Sequence, residues 1–578
     1  MDVQQASLIL EELGLEDGVL FSPLSGEEPI NDVILPSGPT LFENQIKCFN
    51  RIEEILNKLY FWNDDSRTGS GKTVLTIKVG IQRQLQFAVF GPLASLENWN
   101  RELNKYGGII AKDVEGDDII YSYRKLSASH DTKQPKHGLL TKIIENGKIK
   151  EYQPTEYLDQ LINEGTCFIF DETQNIVGNS YQAMAARCIV NRILYFYYIT
   201  GTRSKAGFLS ATMVDKFEHL FSFLRCIGAI QDTQLYRTEK GNIIATGFKE
   251  LYNYGRMIDD RATIQYWKTN PPAYDPDSDE KLREQIWDYY TKVLKHHFTA
   301  TMEINTTLNE KATQEVKNMY VKFPDVKQKI EYLKSIGNLA QAVKFNNKVE
   351  FVNFVPNSKT FGNIMKSLSS IQYAKRNLVL SLAKNILNSK YYRISDGVQV
   401  WPKIVLYSSF IAVLEYWNDE LFEFDPLLIS GQTKQSQRTE IIDLFNRTDN
   451  KYRVLICTMQ TGGVSINLND KNGDYPRIGL CLTDYNTRNQ KQTAGRFYRE
   501  GTVGPSTVAF IFGDTQLKTD SPLYNENSII KAIYRKGKLL KEFHSEQEDI
   551  FPCDYPDEYV EYDHIIVPQG LRIEETWN

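Results

Sequence analysis

Two stretches of the chain alternate short apolar runs with segments whose apolar residues recur at helical spacing. The first stretch extends from about residue 41 to 230, and the second from about 319 to 513. Runs that are apolar at consecutive positions fit strands of a sheet that is covered on both faces, and their alternation with helices predicts βαβ units. The predicted strands are 87–90, 167–170 and 207–209 in the first stretch and 404–407, 454–457 and 508–512 in the second. The sequence therefore predicts an α/β protein with two parallel-sheet lobes.

The segments between and beside the two lobes have a different composition. A helical connector, interrupted by a cluster of Pro and Asp at 270–277, separates the lobes. The C-terminal part divides by charge into a basic amphipathic helix at 529–541 and a stretch, 542–571, that contains no Lys or Arg and that we expect to be a solvated or disordered tail. The predicted divisions are an N-terminal extension at 1–39, the first lobe at 40–230, the connector at 231–315, the second lobe at 316–515 and a C-terminal extension at 516–578.

Composition excludes several classes of protein. No apolar run approaches the ~20 residues that a membrane span needs, and the first residues lack the basic region of a secretory signal. The seven cysteines form no CxxC pair, which favours reduced thiols and a cytoplasmic or virion location, with a nuclear location as the alternative. A net charge of −6 argues against a protein that coats nucleic acid over its whole surface, although a local basic channel is compatible with it.

The strongest local signal is the segment 66–73, with the sequence SRTGSGKT. Glycines let backbone N–H groups approach a phosphate closely, and the apolar helical pattern that follows would add the N-terminus of a helix. Lys72 would bind the β- and γ-phosphates, and the Thr73 hydroxyl would bind Mg²⁺. The residues that we expect to form this phosphate loop around a nucleotide are Thr68, Gly69, Ser70, Gly71, Lys72 and Thr73.

A second signal is the apolar run 168–170, which ends in the adjacent carboxylates Asp171 and Glu172. Asp171 would hold Mg²⁺, and Glu172 would polarise an attacking water. The alternative is an ordinary strand that is followed by an acidic turn. Because the pair lies about a hundred residues after the phosphate loop, it predicts a site that hydrolyses a nucleoside triphosphate.

A third signal lies near the end of the second lobe, at 492–499 with the sequence QTAGRFYR. Arg496 and Arg499 are three residues apart, so we expect them on one face of a helix. From a second lobe they could reach the γ-phosphate as arginine fingers, with Gln492 as a further catalytic residue. The alternative is a pair of arginines on a solvated helix.

The order of these segments resembles that of the superfamily-2 helicases and translocases, which have a DEAD/DEAH-like core. The Swi/Snf-like branch and the helicases of large DNA viruses and cytoplasmic linear plasmids are the most similar in pattern. The segments that carry the resemblance are 41–45, 66–73, 90–99, 121–126, 168–174, 209–212, 404–410, 458–468 and 492–499.

The sequence departs from the family pattern at several positions. Ser66 replaces the first glycine of the general phosphate-loop pattern, which looks like a trait of the family. Thr173-Gln174 follows the acidic pair, so Gln174 must couple this motif to motif III. Motif III itself has two candidates, 210–212, which we prefer because a predicted strand precedes it, and 200–202. Met213 stands where many relatives have Pro, and Ser465 where relatives often have Gly.

The resemblance implies two RecA-like lobes that bind ATP with Mg²⁺, with Gln45 near the adenine. It further implies contact with the backbone of a nucleic acid and little sequence specificity. The residues expected to make this contact are Pro92, Ser95, Ser408, Ser409, Thr458 and Gly462. For each hydroxyl among them, helix capping is the alternative role.

Three functions follow as hypotheses. The first is a monomeric DNA helicase or translocase that serves replication or transcription of a viral or plasmid-type genome. The second is an RNA helicase or transcript-release factor, because the 2′-hydroxyl leaves no readable motif. The third is a structural subunit that binds a nucleotide but hydrolyses it slowly. The acidic C-terminal tail could in addition bind a protein partner, and no membrane association is expected.

Overall fold

The computed structural model describes residues 38–67, 69–128, 134–211, 213–214, 217–231, 234–239, 242–275, 278–302, 313–343, 358–459, 467–483, 486–499, 501–517, 524–544 and 558–574. Apart from the short stretch 67–70, the chain divides into a first compact unit that ends at Met302 and a second that begins at residue 303. In the part of the chain that the structure describes, no helix has both the length and the apolar character needed to cross a membrane.

The first unit contains a six-stranded parallel sheet of order β10-β1-β7-β6-β2-β3. Its strands are β1 (Phe61–Asp64), β2 (Gln86–Gly91), β3 (Ile120–Ser122), β6 (Thr166–Asp171), β7 (Lys205–Leu209) and β10 (Thr299–Ala300). Two hairpins lie outside the sheet, β4 (Leu140–Glu145) with β5 (Lys148–Pro154) and β8 (Arg237–Glu239) with β9 (Asn242–Ile244). The α-helices are α1 (Glu43–Leu56), α2 (Lys72–Gln82), α3 (Leu93–Tyr106), α4 (Tyr123–Ser127), α5 (Glu156–Glu164), α6 (Tyr181–Thr200), α7 (Phe217–Cys226), α8 (Thr246–Thr269), α9 (Glu280–Tyr289) and α10 (Lys295–Phe298).

A row of stacked phenylalanine rings connects three neighbouring strands in this sheet. Phe90, Phe170 and Phe208 are register partners on β2, β6 and β7, and their stacked rings lie 5.5 Å and 5.4 Å apart. Such contacts add to the burial of each ring. Because the strands are parallel and in this register, their carboxyl ends meet at one edge, where Gly91 and Asp171 lie.

The second unit contains a seven-stranded parallel sheet of order β15-β16-β14-β17-β18-β11-β19. Its strands are β11 (Gln314–Lys322), β14 (Lys403–Ser408), β15 (Leu427–Ile429), β16 (Val454–Thr458), β17 (Arg477–Leu482), β18 (Ser506–Asp514) and β19 (Glu558–Val560). A second sheet joins β12 (Tyr391–Arg393) to β13 (Gln399–Val400) and β20 (Leu571–Ile573). The α-helices are α11 (Val326–Val343), α12 (Ser358–Asn388), α13 (Ile411–Glu420), α14 (Gln435–Asn446), α15 (Thr487–Ala494) and α16 (Asn527–His544).

The α/β class, the six predicted strands and the basic helix are therefore confirmed.

A buried ion pair lies in the core of the second unit. The Lys375 ammonium on α12 is 2.9 Å from the Glu526 carboxylate, and both side chains are fully buried. Lys375 also donates to the carbonyl of Ile511 on β18, and the Tyr332 hydroxyl donates to Glu526. These bonds supply the polar partners that a buried charge requires.

The C-terminal segment corrects one expectation. Residues 558–574, expected in part to be a solvated or disordered tail, belong to the second unit, where β19 lengthens the main sheet and β20 pairs with β12. The physical reason is strand pairing together with the burial of Ile566 and Leu571 in the core of the second unit. Glu558 and Glu561 form ion pairs with Lys317 and Lys322 of β11, at 2.9 Å and 2.8 Å. The N-terminal residues 1–37 and the segment 545–557 lie outside the described residues.

The segment expected to be a connector is helical from α8 to α10, as predicted. Its residues up to Met302 lie within the first compact unit, where β10 pairs with β1, whereas Gln314 and Glu315 belong to β11 of the second unit. The first unit therefore ends two residues after β10, the outer strand of the sheet. The neighbouring strand, β1, leads into the phosphate loop.

Candidate active site

The phosphate loop joins the end of β1 to the start of α2. Gly69 and Gly71 have φ values of 87° and 94°, a left-handed conformation that glycine adopts without strain. A Cβ atom at Gly71 would lie 2.2 Å from the amide nitrogen of Gln45. Both glycines are therefore required by the geometry, and the loop ends at the N-terminus of a helix, as an anion cradle does. Thr68 lies outside the described residues.

Gln45 lies against this loop. It occupies the first turn of α1 and is 3% exposed, and its side-chain oxygen accepts the backbone N–H of Phe42 at 3.0 Å. Its predicted contact with adenine stays a prediction.

Lys72 is held inside the loop itself. Its ammonium donates to the carbonyl of Ser66 at 2.6 Å, and the Ser66 N–H donates to the Asp64 carboxylate at 3.0 Å. Burial raises the pKa of Asp64 to about 6, and the positive charge of Lys72 partly offsets that rise. The lysine expected to bind phosphate thus donates to a carbonyl of its own loop.

Three groups hold Asp171 at the end of β6. The Trp99 indole N–H donates to one carboxylate oxygen at 3.0 Å, and the backbone N–H of Glu172 donates to the other at 3.0 Å. The Tyr123 hydroxyl donates to the Asp171 carbonyl at 2.7 Å. Burial, and then the neighbouring charge of Glu172, raise the pKa of Asp171 to about 6. Sequence reasoning missed Trp99 and Tyr123, although both lie in segments that it had singled out.

Gly91, at the end of β2, lies so close to Asp171 that the position has little space for a side chain. A Cβ atom at Gly91 would lie 2.9 Å from the Ser95 hydroxyl and 3.2 Å from the Asp171 Cβ. A side chain at this position would therefore push against the acidic pair.

Gln174 links the acidic pair to the end of β7. Its amide N–H donates to the Glu172 carboxylate at 2.6 Å, and its amide oxygen accepts the Ser210 hydroxyl at 2.5 Å. This chain of bonds supports the choice of 210–212 as motif III, although Thr212 lies outside the described residues. The alternative at 200–202 begins at the last residue of α6 and precedes β7, and the Thr202 hydroxyl donates to the Ile162 carbonyl.

The donor set at this edge fits the Mg²⁺ that would accompany ATP. Mg²⁺ takes oxygen ligands, and Asp171 and the Thr73 hydroxyl in the first turn of α2 supply them. Burial raises the pKa of Asp171, and the charge of the adjacent Glu172 raises it further. A divalent cation would offset the repulsion between the two carboxylates. The Lys72 charge is close enough to lower the same pKa, so the loop and the acidic pair lie together.

The arginines of the second unit differ from the prediction. Helix α15 ends at Ala494, so Arg496 and Arg499 lie in the turn that follows and share no helix face. The helix ends immediately before Gly495, a residue of low helix propensity. The Arg499 side chain donates to the Gly495 carbonyl at 3.1 Å, and the Arg496 carbonyl accepts the N–H of Leu468. Gln492 is on α15 and is 4% exposed.

Three hydroxyls expected to contact nucleic acid are buried. Ser95, Ser408 and Thr458 are 4%, 0% and 7% exposed, so their side chains cannot reach a polymer without rearrangement. The Ser95 hydroxyl donates to the Pro92 carbonyl in the first turn of α3 and does not cap that helix. A hydrogen bond from the Ser95 side chain also partly offsets the rise in the pKa of Asp171. The predicted contacts of these three residues with nucleic acid stay predictions. Pro92 and Ser409 remain partly exposed, and Gly462 lies outside the described residues.

Gln372 explains why Ser408 is buried, and no sequence motif pointed to it. Its amide oxygen accepts the Ser408 hydroxyl at 2.7 Å and the Ser409 N–H at 3.0 Å, while its N–H group donates to the Thr483 carbonyl at 3.0 Å. This fully buried glutamine of α12 thus holds the carboxyl ends of β14 and β17 together.

Comparisons with known proteins agree with the motif order. Residues 389–501 match the helicase conserved C-terminal domain. A protein of Acanthamoeba polyphaga mimivirus, named as an ATP-dependent RNA helicase, is 23% identical over 470 residues, which are 80% of this chain and 77% of that protein.

Two solved structures are similar over most of the chain. The Sulfolobus solfataricus SWI2/SNF2 ATPase core in complex with dsDNA is 15% identical, with 85% of this chain and 89% of that chain covered and a TM-score of 0.29. S. cerevisiae Dbp5 bound to RNA and ADP BeF3 is 12% identical, with 90% and 94% covered and a TM-score of 0.37.

Proposed function

Because this chain is a superfamily-2 helicase, a nucleic-acid-dependent ATPase with two RecA-like lobes, we propose that it moves on DNA during replication or transcription of a viral or plasmid-type genome. One observation supports the ATP hydrolysis on which this proposal rests. Lys72, Asp171, Glu172 and Ser210 lie at one edge of the first sheet, and Gln174 connects the last two. A cytoplasmic or virion location stays a prediction.

ATP binding would begin at the phosphate loop. Lys72 would exchange the Ser66 carbonyl for the β- and γ-phosphates, which offer it a stronger, charged acceptor. Thr73 and Asp171 would hold the Mg²⁺ that neutralises phosphate charge when ATP is bound.

Hydrolysis would depend on Glu172, placed beside Asp171 by the end of β6. Its carboxylate would orient the attacking water, and its bond to Gln174 would keep it in position. Arg496 and Arg499 would supply positive charge to the transition state, as arginine fingers do. Their role stays a prediction.

The link from Gln174 to Ser210 would couple hydrolysis to movement on the polymer. A change at the Glu172 carboxylate would pass through two hydrogen bonds to the segment after β7. We expect little sequence specificity, because backbone contacts carry no direct sequence information.

DNA is favoured as the polymer by the Swi/Snf-like segments at 92–99 and 492–499. RNA is the second candidate, since the mimivirus relative is named as an RNA helicase. The test is ATP hydrolysis measured without polymer and with single-stranded DNA, duplex DNA or RNA. Stimulation by DNA would support the proposal, and stimulation by RNA alone would replace it with the second candidate. No turnover under any condition would leave a nucleotide-binding subunit.

The matched variants are Lys72→Ala and Lys105→Ala. Lys72→Ala removes the phosphate-loop cation and should abolish stimulated hydrolysis. Lys105 is an exposed residue near the end of α3, with a side chain 57% exposed, and its replacement should leave hydrolysis unchanged. A strand-displacement assay on a tailed duplex would then distinguish unwinding from translocation alone.

A further inference from the structure

Ser66 stands where the phosphate-loop pattern has glycine, and the structure uses each of its polar groups. Its hydroxyl accepts the backbone N–H of Met302 at 2.7 Å. Its own N–H donates to Asp64, and its carbonyl accepts Lys72. Ser66 is fully buried. Glycine at this position would lack the bond to Met302.

Asp65, the preceding residue, is tied to the same distant segment. Its carboxylate is 2.9 Å from the Lys295 ammonium, with side chains 0% and 4% exposed. The Thr301 hydroxyl donates to the same carboxylate, and the Asp65 N–H donates to the carbonyl of Ala300 at 3.3 Å. Removal of either charge would leave the other buried and without its counter-ion, which is strongly unfavourable.

These contacts close a continuous structure, which we call the clasp: Asp65 and Ser66 on one side, and Lys295, Thr301 and Met302 on the other. The pairing of β10 with β1 leads directly into it, with Thr299 beside Asn63. The clasp thus lies between the sheet and the phosphate loop. Met302 is also the residue at which the first unit ends.

We propose that the clasp positions the phosphate loop for ATP, and that Ser66, Asp65, Lys295 and Thr301 are positioning residues. The inference rests on the proposed function, since it requires that Lys72 binds ATP. The loop must present its backbone N–H groups in one arrangement, and a loop anchored at its first residue loses less conformational freedom on binding. The clasp also fixes the Ser66 carbonyl, which accepts a hydrogen bond from the Lys72 ammonium.

The experiment compares steady-state ATP hydrolysis by the full chain and by two variants. Thr301→Val removes one hydroxyl with little change of volume, and Ser66→Gly introduces the glycine of the general phosphate-loop pattern and removes the hydroxyl that bonds to Met302. We expect each variant to raise KM for ATP about threefold to tenfold. For Thr301→Val we expect kcat to fall less than twofold. The reason is that the lost contacts weaken binding of ATP and of the transition state equally, and such a loss raises KM without lowering kcat. Thr291→Val is the matched control, since that hydroxyl bonds within its own helical segment.

A merely structural role would give a different result. Partial unfolding would lower kcat in proportion to the folded fraction and leave KM unchanged, and this outcome would overturn the proposal. As a second measurement, amide exchange of the peptide that contains Met302 should be faster in Ser66→Gly than in the wild type. Equal exchange would also contradict the clasp.

Failure of the proposed function can be told apart from failure of the clasp. ATP binding to the wild-type protein is measured first, by displacement of a fluorescent nucleotide. Absence of binding would overturn both proposals. Binding by the wild type together with unchanged KM in both variants would overturn the clasp alone.

Discussion

Replacement of Asp64 by Asn should stabilise the first lobe at neutral pH. The carboxyl is fully buried, and its pKa rises from 3.8 to about 6 on folding. A carboxyl of raised pKa favours the folded state below its unfolded pKa, and this contribution is lost as the pH rises through about 6. At pH 8 this rise in pKa lowers the free energy of unfolding by about 3 kcal/mol, and at pH 5 it lowers it by about half as much. Asn keeps an oxygen to accept the Ser66 N–H, so the main change is the loss of the buried charge.

Amide exchange of the intact protein is the suitable assay, because the chain has two lobes that need not unfold together. The opening free energy of the peptide covering β1 is compared between wild type and Asp64→Asn at pH 5 and pH 8. We expect Asn to be more stable at both values, with a gain larger by about 1.5 kcal/mol at pH 8. Asp117→Asn, an exposed residue of the same lobe, should change stability by less than about 0.5 kcal/mol.

Two results would refute the reasoning. If Asn gives the same gain at pH 5 and pH 8, the Asp64 carboxyl does not titrate as a desolvated group. If Asn is less stable at pH 8, the attraction between Asp64 and Lys72 outweighs the desolvation of both charges.

Other predictions concern hydrolysis and the core of the second lobe. Gln174→Ala and Ser210→Ala should each slow nucleic-acid-stimulated hydrolysis about tenfold, the effect of losing a hydrogen bond to a charged network. Their double variant should be no slower than either single one in the same assay, and additive losses would contradict a shared role. Lys375→Met should lower the unfolding free energy of the second lobe by about 3–5 kcal/mol, measured by urea denaturation. Addition of Glu526→Gln should recover most of that loss, and an equal loss in both would argue against an uncompensated buried charge. Arg499→Ala should nearly eliminate hydrolysis while ATP binding, measured by nucleotide displacement, is retained; near wild-type hydrolysis would contradict the finger role.

Local features of the fold were predictable because short segments encode them. Strands such as 87–90 and 167–170 are apolar at every position, which only a sheet covered on both faces accommodates. The adjacent carboxylates Asp171 and Glu172 follow one of these strands, so their place at a sheet edge followed from the strand. Gly69 and Gly71 indicated the backbone of the phosphate loop, because few other residues adopt a positive φ.

Features that depend on distant contacts were not predictable. The buried state of Ser408 depends on Gln372, whose amide comes from a helix that no motif marks. The composition of the acidic C-terminal stretch is typical of a solvated tail. Its place in the second lobe depends on the pairing of β19 with β11, which also brings Lys317 and Lys322 to its carboxylates. The three-residue spacing of Arg496 and Arg499 predicts a shared helix face. The helix α15 instead ends before Gly495, so both arginines lie in the turn that follows.

The sequence by itself determined the two parallel-sheet lobes, the order of the motifs and the chemistry of the phosphate loop. Those properties reside in periodicity, in glycine conformations and in residue types at short spacing. Only the tertiary structure decided what Ser66 does, because its hydroxyl meets Met302 across 236 positions of the chain. That contact exists because β10 pairs with β1, and the register of two strands so far apart is set by packing of the whole sheet. A serine that departs from the loop pattern is, in the folded lobe, the residue that anchors the loop.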